Sequence, residues 1–167
     1  QHLHSRARGD VDAVVARPGA IIGAYRDLGM RVSYSFALRD QNRMIYAADE
    51  HLISLLPSEA RAPMAAYLGG FALPLSDQIG VFRALRDLWA TTPTVAIQIA
   101  PANLHWLSDA ALEQAALLSE ETGAPMHMHL LETPYQKDYA TRRTGGSAME
   151  YIDRLGLLSP RMTVGHG

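Results

Sequence analysis

Cysteine is absent from this 167-residue sequence. Its absence excludes a disulfide framework, a thiolate zinc site and a cysteine nucleophile. Any metal ion that the chain binds must therefore be held by histidine and carboxylate side chains. The sequence offers 7 histidines and 17 aspartates and glutamates for such a site.

Clusters of one charge and long apolar runs are absent as well. The 15 lysines and arginines are scattered among the 17 acidic residues, for a net charge of -2, so neither nucleic acid nor an anionic membrane surface is expected as a partner. No apolar run approaches the roughly 20 residues that a transmembrane helix requires. With 48% hydrophobic residues, the composition is typical of one globular unit, and we expect a cytoplasmic protein.

Segments with strand character alternate with segments of helical period. The strand segments are 31–38, 94–100, 125–131 and 161–166, and the opening QHLH fits the tail of a fifth strand. They carry apolar residues on both faces, which is typical of parallel strands covered by helices. The sequence therefore predicts an α/β fold with a parallel sheet.

Capping residues mark the helices between these strands. Ser108 and Gly123 bracket one predicted helix, Gly29 ends an earlier one and Ser147 begins the last. Residues 41–78 are interrupted by several prolines and glycines and show no clear period. We interpret them as an insertion over one end of the sheet.

The stretch PMHMHLLETPYQ, residues 125–136, places polar groups at the end of a buried strand. Because side chains alternate along a strand, His127 and His129 point to the same face. Glu132 follows where the strand gives way to a loop, so its side chain can turn back toward His129. This C-terminal end of a strand is where α/β folds place their ligands and chemistry.

A second polar group ends the next predicted strand. Parallel neighbours lie about 5 Å apart, so His166 is expected at the same edge as His129 and Glu132. An imidazole on a rigid strand can fix a metal ion while a nearby carboxylate transfers protons, as hydrolysis at a metal requires. The alternative is that all three are hydrogen-bonded structural residues, because a histidine in a strand is more often a core residue than a ligand.

Two motifs carry a resemblance to a known family. PMHMHLLET, followed after a helix by GLLSPRMTVGHG, resembles the amidohydrolase superfamily, in particular its branch of cytosine, guanine and S-adenosylhomocysteine-type deaminases and triazine hydrolases. IQIAPANLHWLSDAALEQAALLSEETGAP and AYRDLGMRVSYSFALRD also resemble the strand 4, helix 4 and strand 3 of that family. The resemblance extends over most of the chain and is weakest in residues 41–78.

The resemblance implies a metal-dependent hydrolase with a (β/α)8 barrel. One divalent metal ion, zinc in preference to iron, would serve hydrolysis of a C–N bond in a small heterocyclic substrate. His129 would be the metal ligand, Glu132 the proton shuttle and His166 the group that orients the substrate or polarises the atom under attack. Deamination is favoured over dechlorination or amide hydrolysis because it is commoner in this branch. The substrate and the choice between monomer and homo-oligomer stay open.

Four further residues are predicted to contact the substrate pocket. His127 lies two residues before the metal ligand and would have a supporting role below the metal. His105 and Trp106 follow the strand that resembles strand 4, where the family often builds its pocket wall; the alternative is a loop histidine and a packing tryptophan. His2 is expected to reach the pocket from the end of strand 2.

Two metal-binding elements of the family have no counterpart in the expected places of this sequence. The family has a His-x-His pair after strand 1 and an aspartate after strand 8, whereas the sequence stops at Gly167. His2-Leu3-His4 mimics the pair, but only one helix separates it from the segment that resembles strand 3, which places it at the end of strand 2. We therefore expect residues 1–167 to be one partial barrel domain, about strands 2 to 6, that belongs to a longer protein.

By itself such a partial barrel is expected to bind metal poorly and to be inactive. A non-catalytic interpretation also accounts for the missing ligands. In that alternative the chain is a structural or interaction segment that keeps the fold without the chemistry. Substitution of the polar residues would then change stability but no activity.

Overall fold

The fold is built on a parallel sheet. In the computed structural model, which describes residues 10–71 and 73–166, four strands pair in parallel in the order β1-β2-β3-β4. They are β1 (Val32–Leu38), β2 (Val95–Pro101), β3 (Met126–His129) and β4 (Met162–Gly165). Chain order and sheet order coincide, as in consecutive strands of a (β/α)8 barrel and unlike a doubly wound sheet, where the order reverses. The predicted α/β class is confirmed, and QHLH lies outside the described residues.

Helices fill the connections between the strands. They are α1 (Val11–Asp27), α2 (Asp49–Ser54), α3 (Ser58–Gly69), α4 (Leu75–Trp89), α5 (Asp109–Thr122), α6 (Pro134–Thr144) and α7 (Ala148–Arg154), with a 3-10 turn at Leu104–Trp106. The caps predicted for α5 and α7 are confirmed, because the Ser108 hydroxyl accepts from the N–H of Ala111 and the Ser147 hydroxyl from that of Glu150. Gly123 ends α5 in the left-handed conformation.

The core lies between the sheet and the helices that cover it. α1 packs against α4, and both contact β1, while α4 and α5 contact β2. Buried apolar side chains come from both layers: Phe36, Leu38, Ile97, Ile99, Met126 and Met128 from the sheet, and Ile22, Val81, Leu85, Leu112 and Ile152 from the helices. Each fully buried side chain of this size contributes about 1.5–3 kcal/mol to stability. The core thus fixes the strand ends at which the polar residues lie.

Three helical segments depart from the sequence-based boundaries. α1 begins at Val11 and continues through Pro18, a residue type that usually interrupts a helix. α4 begins at Leu75, within the stretch interpreted as an insertion. α6 was not predicted at all, because PYQKDYATRRT has few apolar residues from which to recognise a helical period.

The segment between β1 and α4 forms its own small helical layer. α2 contacts α3, and α3 contains no buried residue. The interpretation of residues 41–78 as an insertion within one barrel domain stays a prediction. None of the described helices is long and apolar enough to cross a membrane.

Candidate metal centre

The pairing of β3 with β4 brings the polar residues together. His129 lies opposite Gly165 in the parallel register, so His166 follows at the same edge of the sheet. The His129 ring lies 5.2 Å from the His166 ring on one side and 5.2 Å from the His127 ring on the other, measured between centroids. Three imidazoles therefore line one stretch of the C-terminal edge.

His129, Glu132 and His166 form a compact group of potential metal ligands, which we call the candidate metal centre. One nitrogen or oxygen from each of the three lies within 4.8 Å of the others. The Nε2 atom of His166 lies 3.8 Å from Oε1 of Glu132, and their side chains are 45% and 48% exposed. Solvent and small molecules can therefore reach the group. The predicted roles of these residues in catalysis stay predictions.

Two left-handed residues turn the chain at this edge. Leu131 follows β3 with φ of 61° and His166 follows β4 with φ of 72°. Non-glycine residues rarely adopt this conformation, which typically costs about 1–3 kcal/mol. The turn at Leu131 ends β3 at His129, two residues before the predicted boundary, and directs the chain so that Glu132 faces the histidines.

Gly165 provides the space that the histidine rings occupy. A Cβ atom at this position would lie 3.4 Å from Nδ1 of His129 and 3.5 Å from Nε2 of His127. A larger side chain here would therefore push against both rings. The glycine in TVGHG thus helps to determine where the His129 imidazole lies.

A buried amide pair adjoins Glu132 and was not predicted. Gln136, in the first turn of α6, accepts a hydrogen bond from the backbone N–H of Glu132 at 3.0 Å, and its side-chain nitrogen lies 3.4 Å from Oε2 of the Glu132 carboxylate. Asn103 donates to the same Gln136 oxygen at 2.9 Å. The N-cap at Thr133 followed by Pro134, together with the capping-box spacing of Thr133 and Gln136, was the signal that could have revealed this helix.

His105 lies in a different environment, which we call the aromatic cluster: Tyr46, His105, Trp106 and Tyr139. Its ring centroid lies 4.8 Å from that of Tyr46, 4.1 Å from that of Trp106 and 6.0 Å from that of Tyr139. His105 is only 2% exposed, and its Nδ1 atom has no hydrogen-bond partner among the described residues. The cluster is densely packed rather than open to solvent around this histidine.

Burial and nearby cations keep His105 neutral. Burial, and to a smaller extent the positive charges of Arg39 and Arg143, together lower its pKa to about 4. The Arg39 guanidinium lies over Trp106 at 3.9 Å from the ring centroid. The predicted pocket role of His105 and Trp106 stays a prediction, and the structure places both in packed surroundings.

The other two predicted pocket residues are His127 and His2. His127 is partly buried and stacks on His129 at an interplanar angle of 22°. The supporting role predicted for His127 stays a prediction. His2 lies outside the part of the chain that the structure describes.

Comparison with known sequences finds similarity to deaminases. No family model matches the chain. A 5-methylthioadenosine/S-adenosylhomocysteine deaminase from Nitratidesulfovibrio vulgaris is 36% identical over 84 residues, which are 50% of this chain and 19% of the relative. The match therefore spans about a fifth of that relative's length.

Comparison with solved structures finds the same fold in hydrolases. A zinc-bound adenosine deaminase from Xanthomonas campestris superposes with a TM-score of 0.64 at 19% identity, over 92% of this chain and 28% of that one. A triazine hydrolase from Arthrobacter aurescens superposes with a TM-score of 0.68 at 16% identity, over 90% and 30%. The chain thus has the α/β fold of part of a larger domain. The sequence similarity to deaminases confirms the resemblance to the amidohydrolase branch that the motifs predicted, and the structural similarity shows that the fold is shared with an adenosine deaminase and a triazine hydrolase.

Proposed function

We propose that this chain carries part of the active site of a metal-dependent aminohydrolase. The observation that supports the proposal best is the grouping of His129, Glu132 and His166 within 4.8 Å at the C-terminal edge of a parallel sheet. The deaminase similarity supports it independently, since it extends over half of the chain. The substrate class would be a small heterocycle that bears an amino group.

The donor set suits a zinc ion. Zinc accepts imidazole nitrogen and carboxylate oxygen, the donor types that His129, Glu132 and His166 present within 4.8 Å of one another. Zinc is also the ion in the similar adenosine deaminase structure, and iron is the alternative.

Each residue would have a separate task. When bound, a divalent ion supplies Lewis acidity that makes water nucleophilic near neutral pH. His129, held by β3, would fix the position of that ion. Glu132 would accept a proton from water through Oε1 and return it to the leaving nitrogen, so that a C–O bond forms, the C–N bond breaks and ammonia departs. His166, 3.8 Å from Oε1, would orient the ring atom under attack.

In this division of tasks, His129 is the one proposed metal ligand among the described residues. Catalytic zinc sites generally take three protein ligands. We therefore expect the 167 residues alone to bind zinc weakly and to show no turnover. The function is best tested on the protein expressed from the complete reading frame that contains this sequence.

The decisive variant is Glu132→Gln in that protein. Removal of the proton shuttle should lower the rate of ammonia release from methylthioadenosine or S-adenosylhomocysteine by about 10²–10⁴-fold, while zinc content stays stoichiometric. Glu113→Gln, on an exposed face of α5, is the matched control and should retain full activity. Retained activity in Glu132→Gln would contradict the assigned role. If the wild type has no deaminase activity and Glu132→Gln changes only stability, the non-catalytic alternative is favoured instead.

A second measurement tests the metal assignment. His129→Ala should lose bound zinc, as measured by elemental analysis of the purified protein. His51→Ala, in α2 and exposed, serves as control and should retain it. Equal zinc content in both variants would show that His129 is not a ligand.

A further inference from the structure

A single side chain contacts Glu132 at two points. The Oε1 atom of Gln136 accepts from the Glu132 backbone N–H at 3.0 Å, and Nε2 of Gln136 donates to the Glu132 carboxylate Oε2 at 3.4 Å. The other carboxylate oxygen, Oε1, faces His166 at 3.8 Å. The two oxygens of Glu132 therefore have different partners.

Asn103 determines which way the Gln136 amide points. Its Nδ2 donates to Oε1 of Gln136 at 2.9 Å, so this oxygen receives two N–H donors, one from Asn103 and one from Glu132. Only the carbonyl oxygen of an amide can accept them, and a flipped amide would place its own N–H groups against both donors. The amide nitrogen of Gln136 must consequently face the Glu132 carboxylate.

Burial makes this arrangement costly to break. Asn103 is 2% exposed and Gln136 is 8% exposed. A buried amide is stable only when its donors and acceptors are satisfied. Gln136 is not needed to cap α6, because the Thr133 hydroxyl already accepts from the Gln136 N–H at 3.3 Å. The Gln136 oxygen instead accepts from the N–H of Glu132, one residue before the N-cap, and its nitrogen reaches the Glu132 carboxylate, so the side chain fixes Glu132 as well as the start of the helix.

We propose that the Asn103–Gln136 amide pair is a positioning device that holds the Glu132 carboxylate in place and leaves Oε1 as the oxygen that transfers protons. The assignment rests on the proposed function, in which Glu132 is the proton shuttle. Asn103 follows β2 and Gln136 lies in the first turn of α6, so the pair fixes Glu132 with respect to a second strand as well as its own loop. Neither residue contacts the reacting atoms, and both act through Glu132.

The test uses two substitutions of Gln136 that separate its contacts. Gln136→Met has a similar volume and removes both hydrogen bonds. Gln136→Glu keeps an acceptor for the Glu132 and Asn103 N–H groups but replaces the donor with a negative charge beside the carboxylate. Gln114→Met, on an exposed position of α5, is the matched control. Far-UV circular dichroism establishes that each variant is folded.

Amide hydrogen exchange of Glu132, measured by NMR on the 167-residue chain, is the readout that does not depend on catalysis. Exchange should accelerate about tenfold or more in Gln136→Met and stay within about twofold of wild type in Gln136→Glu and Gln114→Met. In the protein from the complete reading frame, kcat should fall about tenfold or more in both Gln136 variants, with KM within about twofold, because positioning acts on the proton transfer and not on substrate binding.

The outcomes distinguish this proposal from the proposed function. Unchanged Glu132 exchange in Gln136→Met, or unchanged kcat in both Gln136 variants, would overturn the positioning role. If wild type and all variants hydrolyse nothing, the proposed function fails. The exchange measurement then decides by itself whether the amide pair fixes Glu132.

Discussion

Two histidine-containing regions lie at the C-terminal edge of the same sheet and differ in their surroundings. In the candidate metal centre, His166 is 45% exposed at its side chain and lies beside a carboxylate. In the aromatic cluster, His105 is 2% exposed and is surrounded by Tyr46, Trp106 and Tyr139. The first environment favours a ligand or a proton carrier, and the second favours a neutral packing residue.

The comparison shows that position at a strand end does not by itself determine a residue's role. Both regions follow strands whose carboxyl ends face the same way. The difference comes from what the connecting segments supply. The loop after β1 places Tyr46 over His105, and helix α6 places Tyr139 there. At the candidate metal centre, the chain instead turns away through left-handed residues at Leu131 and His166, and the polar groups stay open to solvent.

The largest expected effect is a difference in stability between matched substitutions in the two regions. His105→Asn removes a buried ring and leaves a cavity with a polar group, which should lower the free energy of unfolding by about 3–5 kcal/mol. His166→Asn changes an exposed residue and keeps a side chain that tolerates the left-handed conformation, so its effect should be within about 0.5 kcal/mol. Urea unfolding at pH 7.5 measures both. Equal losses would contradict the distinction between the regions.

The next effect is a pH dependence that originates in the aromatic cluster. The pKa of His105 is lowered to about 4 by burial and by Arg39 and Arg143, against about 6.5 in the unfolded chain. The unfolded state therefore binds a proton that the folded state does not, so this contribution to stability is complete above pH 6.5 and is lost as the pH falls toward 4. The loss is at most roughly 3 kcal/mol.

A variant without a titrating group isolates this contribution. His105→Phe keeps an aromatic ring among Tyr46, Trp106 and Tyr139 and cannot be protonated. Urea unfolding from pH 4.5 to 7.5 should show a shallower decline in this variant than in the wild type. Parallel curves would mean that His105 does not titrate differently in the folded state.

Much of the fold could be predicted from local patterns. Alternation over Val32–Leu38 and the caps Ser108 and Gly123 determine elements that the structure reproduces. The proximity of His129 and His166 also follows from local reasoning, because adjacent parallel strands place their ends together. These features depend on the period of the sequence and on single capping residues.

What could not be predicted depends on contacts between distant segments. Asn103 and Gln136 are 33 residues apart and look like ordinary polar loop residues in the sequence. The burial of His105 depends on Tyr46 and Tyr139. Tyr46 lies in the predicted insertion, which has no clear period, and Tyr139 lies in α6, which has no apolar face. Tertiary contacts therefore determine which polar residues are buried.

A smaller effect is expected for a residue that ties the aromatic cluster to the loop after β1. Asn42 donates to the backbone oxygen of His105 at 2.8 Å and to the Tyr139 hydroxyl at 3.4 Å, and its φ is 47°. Asn42→Asp keeps the tolerance for this conformation but loses the donor, so it should cost about 1–2 kcal/mol. Thermal unfolding compares it with Asn42→Gly, which also fits the backbone. A negligible cost in Asn42→Asp would show that the cluster does not depend on this tie.

The smallest expected effect is that of His127 on zinc affinity, compared with that of His129 in the candidate metal centre. Its ring stacks on His129 and its Nε2 atom faces the space beside Gly165, yet it is not among the groups whose ligand atoms converge. His127→Gln, in the protein from the complete reading frame, should therefore weaken zinc affinity by no more than about threefold, whereas loss of the proposed ligand in His129→Ala should weaken it about 100-fold or more. Competition with a zinc chelator measures both. A loss in His127→Gln as large as that in His129→Ala would make His127 a ligand, and the centre would then extend down the strand rather than outward to His166.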